Sequence, residues 1–79
     1  MRVEFGGMIG ERKKIGEAES IDGCWKIINQ FLNEHNYKSY YQRISEEEDG
    51  SLWIDFGSHT RFFWIIDGDN HLKLTDIGG

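Results

Sequence analysis

The sequence predicts an α+β domain built from an N-terminal β-hairpin, one amphipathic helix and a three-stranded antiparallel meander, with the helix packed on one face of the sheet. Three observations predict it. Ile21, Trp25, Ile28 and Leu32, followed by His35, recur at spacings of four and three, the spacing of a helix stripe. Three later segments rich in β-branched and aromatic residues are separated by turn residues. The stretch over 68–79 lacks the periodicity of a second helix, which sets the chain apart from ferredoxin-like and double-stranded-RNA-binding folds.

The first element is a short hairpin over about residues 2–15. Val3 and Phe5 alternate with polar residues, and Gly6-Gly7 can supply the positive φ angles of a tight turn before Met8-Ile9. Gly10 and Gly16 weaken the returning strand. Ser20 is placed to cap a helix starting at Ile21, with Glu17, Glu19 and Asp22 near its positive end. Cys24, Ile27 and Phe31 widen the apolar stripe, and Asn36 can take the left-handed conformation that ends the helix.

Strands are then expected over 38–47, 51–56 and 62–67. A three-residue loop of Glu48-Asp49-Gly50, with Gly50 left-handed, sets Ile44 opposite Ile54 and Arg43 opposite Asp55. A five-residue loop over 57–61 would place Leu52, Ile54 and Phe56 on one face with Phe62, Trp64 and Ile66. The helix would cover that even-numbered face. Residues 71–76 alternate weakly and read as a fourth edge strand or a loose tail.

The 79 residues suit one domain over 1–79, and 11 aromatic side chains supply the core. Cys24 is the sole cysteine, so no internal disulfide can form, and a cytoplasmic location is expected. The N-terminus lacks the apolar run of a signal peptide, and no stretch approaches a membrane span. The formal charge is −5, and residues 39–79 hold three basic and eight acidic side chains. Glu46-Glu47-Glu48-Asp49 concentrates that charge, which disfavours nucleic acid and suits a partner protein with a basic surface.

No reaction chemistry assembles. Cys24, His35, His59 and His71 are spaced 11, 24 and 12 apart, which is not the spacing of a metal site. Cys24 lies on the apolar stripe, away from any base. Asp67-Gly68-Asp69-Asn70-His71 resembles the start of a calcium loop, but Leu72 and Gly78 stand where glycine and glutamate are required. No catalytic residue, metal ligand or cofactor is therefore expected.

The informative surface is the odd-numbered sheet face, carrying Tyr41, Arg43, Trp53, Asp55, Phe63 and Ile65. If the lone helix covers the other face, this one is open, and tyrosine, tryptophan and arginine are the residues that anchor interfaces. It could take a partner protein or a second copy of the chain. The alternatives are that the hairpin or the tail covers it, or that its aromatics stack nucleic-acid bases while Arg12, Lys13, Lys14 and Arg43 meet phosphates.

Residues 25–65 carry a resemblance through Trp25-Lys26-Ile27-Ile28-Asn29, Phe31-Leu32, Glu34-His35-Asn36, Lys38-Ser39-Tyr40-Tyr41, Arg43-Ile44 and Trp53-Ile54-Asp55-Phe56-Gly57-Ser58. This stretch resembles short uncharacterised accessory proteins of Gram-positive phages and conjugative elements. The resemblance implies a mobile-element setting, in which small acidic proteins inhibit host defences of the CRISPR or restriction type. It carries over no functional residue.

Overall fold

The computed structural model describes residues 1–7, 10–37, 43–58 and 60–76. Its elements are β1 (Arg2–Gly6), β2 (Lys13–Glu17), α1 (Ile21–Glu34), β3 (Arg43–Glu46), β4 (Leu52–Asp55) and β5 (Phe62–Ile66), followed by a 3₁₀ turn over Leu74–Asp76. The strands form one antiparallel sheet in the order β2-β1-β5-β4-β3. The hairpin and the meander are thus a single five-stranded sheet, joined where β1 pairs with β5.

Both ends of α1 are closed by local chemistry. The Ser20 hydroxyl accepts the Gly23 N–H at 3.1 Å from an extended backbone, satisfying a donor that the helix leaves orphaned. At the other end Asn36 adopts φ 56°. The Tyr37 N–H there donates to the Leu32 carbonyl at 2.9 Å and the Asn36 N–H to the Asn33 carbonyl at 3.3 Å, the paired bonds of a left-handed helix stop. Between these caps Ile21, Cys24, Ile28 and Leu32 are buried against the sheet, flanked by the half-buried Trp25, Ile27 and Phe31.

The sheet side of the core is Val3, Leu52, Ile54, Phe56, Phe63 and Ile65, each at most 1% exposed. Their register differs from the one expected by parity. Leu52 pairs with Ile65 and Ile54 with Phe63, so the connection from β4 to β5 runs over residues 56–61, one longer than the five-residue loop. A one-residue slip exchanges the two faces of a strand. Phe63 and Ile65 therefore belong to the helix-covered core, and Phe62, Trp64 and Ile66 lie on the opposite face. The sequence Phe62-Phe63-Trp64-Ile65-Ile66 is apolar on both faces and cannot select one by itself. Its neighbour β1 selects: Val3 pairs with Ile65 and Phe5 with Phe63, so the apolar side chains of β1 pull the odd residues of β5 inward.

The first hairpin also turns later than its glycines suggest. Gly6 is still in β1, paired with Phe62, and a Cβ there would stand 2.8 Å from the Glu11 carbonyl oxygen and 3.0 Å from the Arg12 Cα. Glycine is needed for backbone approach at this position, and the connection follows over residues 7–12. Met8 and Ile9 lie outside the described residues. The β3–β4 turn is as read: the Glu47 N–H donates to the Ser51 carbonyl at 2.9 Å, the Gly50 N–H donates to the Glu47 carbonyl at 3.0 Å, and Gly50 has φ 91°. Ile44 pairs with Ile54 and Arg43 with Asp55.

The C-terminal stretch is neither an edge strand nor loose where it is described. The Leu72 N–H donates to the Gly50 carbonyl at 2.8 Å and its side chain is buried. Residues 71–76 thus close one end of the core beside the β3–β4 turn.

Candidate functional site

The face of the sheet opposite α1 is built from a row that crosses all five strands. Ser45 pairs with Trp53, Trp53 with Trp64, Trp64 with Glu4, and Glu4 with Lys14. Alternation along each strand sets Arg43, Asp55, Phe62, Ile66 and Arg2 on the same face. The aromatic rings contact one another: Trp53 and Phe62 lie 4.9 Å apart between centroids, and Phe62 meets Trp64 edge-on at 6.3 Å.

One cation is already seated there. The Arg12 guanidinium carbon is 4.5 Å from the centroid of the Trp64 ring, close enough for the ring quadrupole to attract it. Arg12 Nε also lies 3.3 Å from Glu4 Oε1, and the other oxygen of that carboxylate accepts from Arg2 Nε at 2.9 Å. Trp64, beneath Arg12, is 7% exposed and Phe62, packed against Trp53 and Trp64, is 6% exposed, whereas Trp53 remains half-buried. The hairpin therefore covers part of this face, through Arg12.

Of the residues expected on the open face, Arg43, Trp53 and Asp55 are on it, with Arg43 exposed and Asp55 buried. Asp55 Oδ1 accepts the Gly57 N–H at 2.9 Å, which shapes the end of β4. Phe63 and Ile65 are not on it, because both are fully buried beneath α1. Tyr41 lies outside the described residues. The sequence reading missed Phe62 and Trp64, whose placement depends on the β1–β5 pairing, and gave Arg12 a role only toward phosphates.

The acidic residues Glu46, Glu47, Glu48 and Asp49 are exposed at the β3–β4 turn. Asp49 Oδ1 accepts from the Ser51 hydroxyl at 2.6 Å and from the Ser51 N–H at 2.9 Å. Those bonds hold the Asp49 carboxyl below the usual aspartate range. Glu46 lies 3.8 Å from the Lys73 ammonium. Two shallow depressions flank the turn on the helix-free face and share Glu47 and Trp64. One, of about 510 Å³, is lined by Ser45, Glu47, Trp53 and Trp64. The other, of about 410 Å³, is lined by Arg12, Glu47, Glu48, Asp49 and Trp64. The result is an aromatic floor with an acidic rim.

The remaining candidates for chemistry are elsewhere. Cys24 is fully buried under the sheet, and burial pushes its thiol pKa up, which keeps the reactive thiolate scarce. His35 stacks on Phe31 at 4.1 Å, with Nδ1 2.9 Å from the Phe31 carbonyl oxygen. His71 packs beside Gly50, and His59 lies outside the described residues. No helix among the described residues is long and apolar enough to cross a membrane. Comparison with known proteins finds no family model, curated protein or solved structure that matches this chain.

Proposed function

We propose that this chain is a non-enzymatic protein-binding module, and that the helix-free face of its sheet docks on a basic surface of another protein. The observation that carries the reading is the acid-rimmed aromatic groove, in which Trp53 and Trp64 form the floor and Glu47, Glu48 and Asp49 the rim. Aromatic rings supply contact area at small entropic cost, and a charged rim steers a partner of opposite sign. The formal charge of −5 acts in the same direction at longer range. The resemblance of residues 25–65 to phage and conjugative-element accessory proteins supplies the setting. In it, the basic surface is the nucleic-acid groove of a cytoplasmic host defence complex, which the chain would block.

Nucleic acid itself is the weaker candidate. Phe63 is unavailable to stack a base, and the carboxylates beside Trp53 and Trp64 repel phosphates. The test is affinity capture from a Gram-positive host lysate with the wild type, with Trp53→Glu, and with a rim triple variant (Glu47→Gln, Glu48→Gln, Asp49→Asn). A captured protein is then purified and titrated at rising salt. A specific partner should bind the wild type, lose affinity in both variants, and weaken with ionic strength. Binding that survives both variants would place the interface elsewhere.

A further inference from the structure

The chain contains, within itself, one complete seat for a guanidinium. Arg12 lies over the Trp64 ring at 4.5 Å, with the Glu4 carboxylate 3.3 Å from its Nε. An indole face below and a carboxylate at the side satisfy both properties of this group, its affinity for a π surface and its directed N–H donors. Trp53 is the cross-strand neighbour of Trp64 on the same face. It is half-buried, and its depression is walled by Ser45, Glu47, Trp53 and Trp64. Those walls again provide an indole and a carboxylate, but they contribute no cation of their own.

From this repetition we propose that Trp53 and Glu47 form a second guanidinium seat, filled by an arginine of the partner protein. The inference rests on the protein-binding reading above and specifies its occupant. The arginine belongs to a basic segment that runs past the β3–β4 turn, where Glu48 and Asp49 continue the negative rim toward Arg12. Arginine fits better than lysine, because a planar guanidinium can stack on Trp53 while its edge donates to Glu47; a lysine ammonium offers charge without the plane. The half-exposed site favours a contribution from each contact of the size seen for partly desolvated cation–ring pairs.

The experiment uses the full chain, ¹⁵N-labelled, and follows the three side-chain indole N–H signals of Trp25, Trp53 and Trp64 by NMR during titration. The probes are a hexa-arginine peptide, a hexalysine peptide, and a hexacitrulline peptide in which each guanidinium is replaced by a neutral urea. Hexa-arginine should move the Trp53 signal and leave Trp25 in place, hexalysine should act several-fold more weakly, and hexacitrulline should have no effect at equal concentration. Glu47→Gln, which leaves the backbone bonds of the turn intact, should raise the hexa-arginine Kd by about threefold to tenfold. The arginine seat is overturned if hexa-arginine moves no indole signal, if hexacitrulline moves Trp53 equally, or if Glu47→Gln changes nothing. In each of those cases a captured partner that still depends on Trp53 would leave the protein-binding reading standing. A Trp53 shift produced by oligothymidylate in place of the peptides would overturn both.

Discussion

The Arg12 guanidinium covers Trp64 at 4.5 Å while Glu4 holds it from the side at 3.3 Å, so a residue outside the strands buries an aromatic at the centre of the sheet. The contact joins the hairpin to β5 on the face that α1 does not reach. Arg12→Ala should therefore lower stability by about 0.5–1.5 kcal/mol, or roughly 0.5–1.5 M in the urea midpoint at the slope of about 1 kcal/mol/M expected for a chain of this size. Tryptophan emission should shift to the red as Trp64 meets water. Arg12→Lys should recover part of the loss, and an unchanged midpoint in Arg12→Ala would mean that the contact contributes nothing in solution.

The two faces of the sheet predict opposite consequences for aromatics on adjacent strands, Phe63 on β5 and Trp53 on β4. Phe63 is 0% exposed between β1, β4 and α1, so Phe63→Ala should cost about 3–5 kcal/mol. That is a large part of the ~4–12 kcal/mol expected for a domain of this length, and the variant should be largely unfolded by circular dichroism near 37 °C. Trp53→Ala, at a half-buried position, should cost about 1 kcal/mol and melt cooperatively. The reverse ranking would mean that the faces are exchanged.

How far the fold is legible depends on where a residue's partner lies in the chain. The helix and both its stops follow from Ser20, the apolar stripe and Asn36, all local signals. The pairings of Arg43 with Asp55 and Ile44 with Ile54 follow from Gly50, whose left-handed backbone fixes a three-residue turn. The β5 register is set by β1, some sixty residues earlier, and the run Phe62-Phe63-Trp64-Ile65-Ile66 satisfies the apolar pattern in either register. Most of the error in the candidate site follows from that ambiguity: Trp53, Arg43 and Asp55 were legible through a local turn, and Phe62 and Trp64 were not.

Gly50 holds two requirements at once. Its φ is 91°, and an added Cβ would stand 3.0 Å from the His71 ring and 3.1 Å from the His71 Cα. Gly50→Ala should cost about 1–3 kcal/mol and should loosen the segment that Gly50 anchors through the Leu72 N–H. Faster hydrogen exchange at the Leu72 amide than at Ile28 would identify that local effect. Equal acceleration at both sites would indicate that the variant acts only through global stability.

The Asp49 carboxyl is held below its ordinary value of 3.8 by the Ser51 hydroxyl and N–H. A depressed folded-state pKa contributes stability that is present above the unfolded value and is lost as pH falls through the folded one. The turn should therefore tolerate mild acid and weaken only below about pH 4. In a carboxyl ¹³C titration, Asp49 should show a midpoint below that of an ordinary aspartate, and Ser51→Ala should move it upward. A midpoint unaffected by Ser51→Ala would mean that the hydroxyl contributes nothing to the shift.

Self-association through the helix-free face can be separated from partner binding by the sign of its salt dependence. A two-fold dimer on this face would bring together the Trp53 rings of two copies, and two-fold dimers are the commonest soluble oligomers. It would also bring two acidic turns, each with Glu47, Glu48 and Asp49 exposed, to the same interface. Like charges at that range repel, and salt relieves the repulsion as the screening length falls from about 10 Å at 0.1 M to about 3 Å at 1 M. A homodimer should therefore strengthen with ionic strength, whereas docking on a basic partner should weaken. Light scattering of the wild type at 0.1 M and 1 M salt should show the mass rising toward twice that of the chain, and Trp53→Glu should remain a folded monomer at both. A wild-type monomer at every salt concentration would exclude the dimer and reserve the face for a foreign partner. A Trp53→Glu chain that fails to fold would instead identify Trp53 as part of the core.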